Sequence, residues 1–295
     1  VACVHWCSMA LATQSRLEFL HATQNSDGGW GFFPRKQSWL EPTAYALLAL
    51  HGEPAAKPVA ERGWKLIRSW QLPDGSWQAC AAVRESHWTT ALAVTLHAVH
   101  EAYDDAFQRG AAWLLQTKGF ESSLTFRIAH MLRPNVVELD PGLKAWPWRP
   151  GTSSWIEPTA HSLVALKKAF GKVTAKDLGE RVSLGERMIL ERRCTDGGWN
   201  YGNRKVLGTE LPSYPETTGI ALLGLAGNHS LDLGTQLALA RRMMGETKSP
   251  LARAWLRLAL RSHSIPLAET PPDPAAEGDT LVAALEVMAT TGVLA

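Results

Sequence analysis

The sequence predicts an all-α chain of helical hairpins that close into an α/α barrel. Two observations predict it. A short turn recurs as Gln24 to Trp30, Gln71 to Trp77 and Arg193 to Trp199, each with Asp-Gly at its centre and Trp at its end. Each copy also follows one helix-like stretch and precedes another. A tandem repeat of this kind sets the architecture before any single residue sets the chemistry.

The repeat extends past the turn. After Trp30 comes Ser38-Trp39-Leu40-Glu41-Pro42-Thr43-Ala44, after Trp146 comes Ser154-Trp155-Ile156-Glu157-Pro158-Thr159-Ala160, and after Trp199 comes Ser213-Tyr214-Pro215-Glu216-Thr217-Thr218-Gly219. Trp30 to Glu41, Trp77 to Trp88 and Trp146 to Glu157 are steps of 11 residues, whereas Trp199 to Glu216 is 17, so that loop carries an insertion. Trp88 thus takes the glutamate position in the second unit. Asp140 stands where Gln belongs in the degenerate turn that ends at Trp146.

Each unit reads as an outer helix, a Gly-Trp turn, a loop and an inner helix. Pro42 and Pro158 suit a first helical turn, where a missing N–H costs no hydrogen bond. Glu41 and Glu157 lie next to the positive end of the helix dipole. Ala60, Trp64 and Ile67 recur at helical spacing between charged residues, the pattern of an outer helix. Ala44 to Leu50 and Ile220 to Leu225 are apolar on nearly every face, the pattern of an inner helix.

Along the chain, Val4 to Thr23 reads as an outer helix with Pro42 to His51 as its inner partner. Pro54 to Trp70 and Thr89 to Ala102 form the second pair. Asp104 to Gln116 is a third outer helix, with Ser122 to Leu132 as its inner partner. Arg133 to Ser153 is rich in Pro and Trp and aperiodic; loops of that length are often functional, and covering the cavity is one role for it. Pro158 to Phe170, Ala175 to Arg192, Thr217 to Gly227, Leu233 to Met244 and Pro250 to Ser262 follow as helices. After the Pro271-Pro272-Asp273-Pro274 break, the last helix runs from near Ala275 to about Thr291. About a dozen helices in alternating roles favour one continuous domain over residues 1–295.

Net charge is +2 over 295 residues, which gives no case for nucleic acid as a partner. No apolar run reaches a membrane span, which leaves peripheral contact open. Val1 to Ala12 has neither a basic lead nor a cleavage site, so no signal peptide is expected. Cys3, Cys7, Cys80 and Cys194 do not form a disulfide framework, and a reduced, cytoplasmic setting is expected. No motif asks for a cofactor. The 13 tryptophans exceed what the turns use.

The Gln-x-x-Asp-Gly-x-Trp turn resembles the QW repeat of squalene and oxidosqualene cyclases, whose wider group includes class II diterpene cyclases and the β subunits of protein prenyltransferases. Gln24 to Trp30 and Gln71 to Trp77 match it fully; Arg193 to Trp199 differs at Arg193. The resemblance covers roughly residues 15 to 230. It implies an α/α toroid with an isoprenoid held in a central cavity. The family's Asp-x-Asp-Asp acid motif is absent, since Asp104-Asp105 is followed by Ala106, Phe107 and Gln108. The prenyltransferase zinc ligands are absent too, because neither Cys80 nor Cys194 has an Asp two residues before it. The chain has about half the length of a typical triterpene cyclase, which contains two such barrels.

Glu41, Glu157 and Glu216 are the candidate catalytic residues. Equivalent repeat positions put them at one mouth, where desolvation by Trp39, Trp155 or Tyr214 can raise a carboxyl pKa and make a general acid. The alternative is scaffolding, each Glu serving its helix start. Trp39, Tyr45, Trp88, Trp155, His161, Tyr214 and Trp255 are the candidate substrate-binding residues: aromatic faces stabilise carbocations and line apolar pockets, and they also pack barrel walls. The turn tryptophans read as packing. His87, His97, His100, His130 and His161 lack the acidic or Cys partners of a metal site, and none is expected. Three functions follow: a terpene cyclase with a non-standard acid, a non-catalytic toroid that binds an isoprenoid or a protein, and a carbohydrate-active α/α barrel. The turn disfavours the last. Oligomeric state and substrate identity are not encoded in these signals.

Overall fold

The computed structural model describes residues 13–132, 140–206, 208–267 and 278–294. Its regularity starts in the turns. Gly28, Gly75 and Gly197 take φ of 95°, 92° and 95°, a left-handed conformation that disfavours side chains. A Cβ on Gly28 would stand 2.7 Å from the Arg62 carbonyl oxygen, and one on Gly75 2.6 Å from that of Arg109. The turns therefore sit directly against the next outer helix. Gln24 Nε2 donates to the Gly28 and Val59 carbonyls at 2.7 and 2.8 Å, and Gln71 Nε2 repeats this with Gly75 and Ala106 at 3.0 and 2.8 Å.

Each turn Trp is a bolt between helices. The amide N–H of Trp30, Trp77, Trp146 and Trp199 donates to Oγ1 of Thr43, Thr90, Thr159 and Thr218 at 2.9, 2.9, 3.2 and 3.0 Å. The indole N–H donates to the carbonyls of Leu20, Ile67, Leu114 and Ile189 at 2.7, 2.9, 2.8 and 2.6 Å. All four rings are fully buried. The degenerate turn at Trp146 thus keeps both Trp hydrogen bonds although Asp140, which accepts from the Gly142 N–H at 2.7 Å, cannot make the Gln donations.

The helices are α1 (described over 13–22), α2 (Leu40–Ala49), α3 (Lys57–Ser69), α4 (Thr90–Val99), α5 (Asp105–Gln116), α6 (Leu124–Leu132), α7 (Ile156–Lys168), α8 (Leu178–Glu191), α9 (Pro215–Leu225), α10 (Gly234–Glu246), α11 (Pro250–Ser262) and α12 (Thr280–Thr291). α2, α4, α7, α9, α11 and α12 each pack on the next, and α12 returns to α2. These six form the inner ring. α3, α5, α8 and α10 lie outside it, on α2, on α4 and α7, on α7 and α9, and on α9 and α11. α1 is tied to α12 by the Arg16–Glu286 ion pair at 2.8 Å. The chain is an α/α toroid, as its repeat requires.

Every residue of α2 except Glu41 is buried, which explains its nearly uniform apolar sequence. The long loop after Trp199 carries the small hairpin β1 (Lys205–Val206) and β2 (Thr209–Glu210). One element departs from expectation. Residues 122–132 do not supply an inner helix: α6 has no buried residue at all. The partner of α5 in the inner ring is α7. The indole N–H of Trp146 reaches back 32 residues to Leu114, against 10 in the other three units, so α6 belongs to an insertion between outer helix and turn.

Of the loop 133–153, residues 133–139 lie outside the described part, as do Cys3, Cys7 and the Pro-rich break at 271–274. The rest, 140–153, is built into the third turn, with Pro147 bridged to Ser154.

Candidate active site

The mouth is made by four backbone hydrogen bonds that obey one rule. Leu40 N–H donates to the Ala79 carbonyl at 2.8 Å, Trp88 to Trp148 at 3.1 Å, Ile156 to Tyr201 at 3.0 Å and Thr280 to Phe32 at 3.0 Å. Each acceptor lies two residues after a turn Trp. Each donor lies at the start of the preceding inner helix around the ring. These bonds satisfy N–H groups that a helix start leaves open. The last one closes the ring from α12 to the first unit. They also place Phe32, Trp148 and Tyr201 at the same rim.

Glu41, Glu157 and Glu216 stand in the first turns of α2, α7 and α9. The sequence reading thus puts them at one end, and the structure brings their charges within reach of one another. Burial, and then the Glu216 charge, lifts Glu41 to about 7. Burial, followed by Glu41 and Glu216, holds Glu157 well above the usual carboxylate range. Burial also raises Glu216. Among the described residues none of the three makes a hydrogen bond or ion pair. The starts of α2, α7 and α9 carry no side-chain cap bond, so the glutamates are not caps.

Two physical effects oppose each other here. A helix N-terminus favours a carboxylate by about 0.3–1 kcal/mol. The rise of Glu41 from 4.5 to about 7 corresponds to about 3 kcal/mol the other way. Desolvation and like charge win. Glu41 and Glu157 nevertheless keep part of their surface accessible. Both statements hold for a group that lines an enclosed mouth, touched by water while protein fills most of the space around it.

Below the carboxylates the axis is closed by aromatic rings. The Tyr45 hydroxyl meets His161 Nε2 at 3.3 Å. Trp255 lies 5.6 Å from both rings, and Trp88 lies 5.1 Å from His161. All four are buried, and they come from α2, α7, α11 and the start of α4. Burial lowers His161 to about 3, so it is neutral. Burial, then Glu41 and Glu157, pushes the Tyr45 hydroxyl well up, so it stays protonated beneath the acids.

Trp39, Trp155 and Tyr214 do not join this cluster. They precede α2, α7 and α9 and form the rim. Trp39 meets Phe32 at 6.1 Å, Tyr214 meets Tyr201 at 5.5 Å, and a Cβ on Gly202 would touch the Trp155 ring at 2.9 Å. Trp148 completes the rim against Trp88 at 5.3 Å. Phe32, Trp148 and Tyr201 were not among the sequence candidates. Their signal is an aromatic two residues after the turn Trp in three of four units, with Ala79 as the exception.

A groove of about 500 Å³ between Asp74, Arg84, Ser86 and Arg149 opens on the outside and contains none of the three glutamates. His97 and His100 pack on Trp64 at 4.5 and 5.2 Å, away from the mouth, and His51 meets His100 at 4.7 Å. Among the described residues no group of three or more His, Cys, Asp or Glu could hold a metal ion. No helix among them is long and apolar enough to cross a membrane.

The chain matches no family profile. Drimenyl diphosphate synthase of Streptomyces showdoensis is 39% identical over 74 residues, which are 24% of this chain and 14% of that enzyme. Three solved structures of the type II terpene cyclase MstE from Scytonema are similar in fold. The apo form matches over 97% of this chain and 79% of that one, at 16% identity and a TM-score of 0.57. A variant in complex with geranylgeranyl dihydroxybenzoate matches over 98% and 80%, at 16% identity and 0.58. A variant in complex with merosterolic acid A matches over 98% and 82%, at 15% identity and 0.58. With its repeat and its closed ring of inner helices, the chain has a terpene cyclase-like α/α toroid fold.

Proposed function

We propose that the protein is a terpene cyclase that starts its reaction by protonating an isoprenoid at the mouth, with Glu157 or Glu41 as general acid. One observation carries the reading: three carboxyl groups, without hydrogen-bond or ion-pair partners among the described residues, share one partly desolvated end of the barrel. Like charges so placed cannot all ionise, so a proton stays on the cluster near neutral pH. A neutral carboxyl is what alkene protonation needs.

The proposed step balances without a co-reactant. The carboxyl O–H bond breaks and a C–H bond forms on the alkene, leaving a carbocation. A second alkene attacks it and closes a ring. Water takes a proton from a neighbouring carbon and restores an alkene, and a proton from water returns to the carboxylate, so substrate and product are isomers. Phe32, Trp39, Trp148, Trp155, Tyr201 and Tyr214 supply aromatic faces at the rim for the cation. The neighbours act on a geranylgeranyl-bearing benzoate or carry a terpenyl diphosphate name, which supports an isoprenoid with several double bonds as the substrate class.

A second reading has its own support. Tyr45, Trp88, His161 and Trp255 fill the axis, which favours a toroid that binds an isoprenoid at its mouth without converting it. The experiment that separates the two is incubation with squalene and with linear polyprenyl diphosphates, followed by mass spectrometry and chromatography. The cyclase reading expects a product of unchanged mass and altered retention, lost in Glu157→Gln or Glu41→Gln. Unconverted substrate that still binds supports the second reading.

A further inference from the structure

In three of the four units a serine ahead of the inner helix is latched to the acid of its own turn. Ser38 Oγ donates to Asp27 at 2.7 Å, Ser86 Oγ to Asp74 at 2.6 Å, and Ser213 Oγ to Asp196 at 2.9 Å. Each of these acids stands three residues before its Trp and is exposed. The third unit lacks that acid, because Leu143 stands three residues before Trp146. Its serine is latched all the same. Ser154 donates its N–H to both Glu121 carboxylate oxygens, at 3.1 and 3.2 Å, and its hydroxyl to one of them. Glu121 belongs to the insertion that carries α6. A carboxylate from outside the turn thus takes the place of the turn's own.

This latch differs from the other three in two ways. It is dry, with Glu121 and Ser154 each 1% exposed. It is also doubled. Arg192, buried at the end of α8, donates to the Ser154 carbonyl at 2.5 Å and to its hydroxyl at 3.1 Å, and it meets Glu121 at 3.4 Å. The N–H, carbonyl and hydroxyl of one residue are therefore all held by one ion pair. The backbone is shaped around that pair, since a Cβ on Gly119 would run into both Glu121 oxygens. Desolvation offsets much of the attraction in a buried ion pair, so stability alone is a weak reason for one; fixing a geometry is another.

The geometry fixed here is the start of α7. Ser154 lies three residues before Glu157. The helix starts that carry Glu41 and Glu216 hang on exposed turn acids, where water competes for the same bonds. A general acid must hold its proton in one place against the reacting carbon, and the α7 start is the one best held.

We propose that Glu121 and Arg192 are positioning residues, which fix Ser154 so that Glu157, rather than Glu41, is the proton donor of the mouth. The role of donor rests on the cyclase reading; the latch that places Glu157 does not.

The test compares the two kinds of latch in the full chain. Glu121→Gln/Arg192→Met removes both charges together, so no buried charge is left unpaired. Asp27→Asn weakens the exposed latch ahead of Glu41 instead. Carbon-13 NMR titration of glutamate-labelled protein, with the Glu157 resonance assigned by Glu157→Gln, reads the placement without any substrate. The double variant should keep the native helix signal in circular dichroism. Its Glu157 midpoint should fall by about one pH unit or more, as the carboxyl gains water and leaves its like-charged neighbours. Asp27→Asn should leave that midpoint in place. With an isoprenoid that the wild type cyclises, the double variant should lose about tenfold or more in kcat at nearly unchanged KM, and Asp27→Asn less than about twofold. A Glu157 midpoint that stays put in the double variant, an equal shift in Asp27→Asn, loss of the native helix signal, or cyclisation that survives Glu157→Gln would each overturn the proposal. If the wild type cyclises no isoprenoid while the Glu157 midpoint shifts as expected, the cyclase reading fails and takes the donor role with it, and Glu121 and Arg192 stand as the residues that place the Glu157 carboxyl.

Discussion

The fourth unit holds one acid in its turn, Asp196, and another at its mouth, Glu216, and the two sites treat a carboxylate in opposite ways. In the turns, Asp196 accepts hydrogen bonds from the Gly198 N–H at 3.1 Å and from the Ser213 N–H and hydroxyl at 2.9 Å each. Its pKa is lowered, as is that of Asp74, because those donors outweigh partial desolvation. At the mouth Glu41, Glu157 and Glu216 have no hydrogen-bond donor among the described residues, and all three are raised. The turn is built to hold its charge, and the mouth is built to resist it. A repeat thus carries a scaffold and a reactive site in one unit, separated by a few residues of loop.

The largest effect should fall on the scaffold. Trp199→Ala removes a fully buried ring and both of its hydrogen bonds, and it should cost about 3–5 kcal/mol in urea unfolding. The mouth should respond with the opposite sign. Glu41 binds its proton more tightly folded than unfolded, so its contribution is present below about 4.5 and is lost as pH rises through about 7. Glu41→Gln should therefore stabilise the protein at pH 8 by up to about 3 kcal/mol and change little at pH 4. A destabilised Glu41→Gln at pH 8 would make the mouth acids scaffolding and erase the contrast.

The aromatic cluster below should give an acid-side effect. His161 is lowered to about 3, so its contribution is present above about 6.5 and falls as pH drops. Between pH 6.5 and 5 the wild type should lose about 2 kcal/mol through this one ring, a loss that His161→Phe should flatten. The smallest effect belongs to a single turn acid. Asp196→Asn should cost about 1 kcal/mol at neutral pH and nothing once the wild-type Asp196 is protonated. Equal pH slopes for Asp196→Asn and Glu41→Gln would show that the two sites do not differ.

The turns were legible because they combine Gly, Asp and Trp at fixed spacing, and each residue type has one stereochemical reason to be there. Glu41 and Glu157 were legible by register, since a helix start eleven residues after Trp must return to the same end of a ring; Glu216, 17 residues after Trp199, was legible by the like motif Ser213 to Gly219 around it. The rim was only half legible. Trp39, Trp155 and Tyr214 flank the glutamates in sequence, whereas Phe32, Trp148 and Tyr201 reach the rim through backbone bonds to the preceding inner helix, a relation between neighbouring units. Residues 122–132 misled because Leu124, Ile128, Met131 and Leu132 have the spacing of a buried face. Periodicity reports that a helix has an apolar stripe; it does not report whether protein covers it.

The central claim is that the mouth keeps a protonated carboxyl at neutral pH. Carbon-13 NMR titration of glutamate-labelled protein tests it most directly. A carboxyl resonance should titrate near pH 7 and vanish in Glu41→Gln, with that of Glu157 also displaced well above 4.5. If the Glu41 and Glu157 resonances both titrate between about pH 4 and 5, as unperturbed glutamates do, the mouth is no proton donor and the account is contradicted.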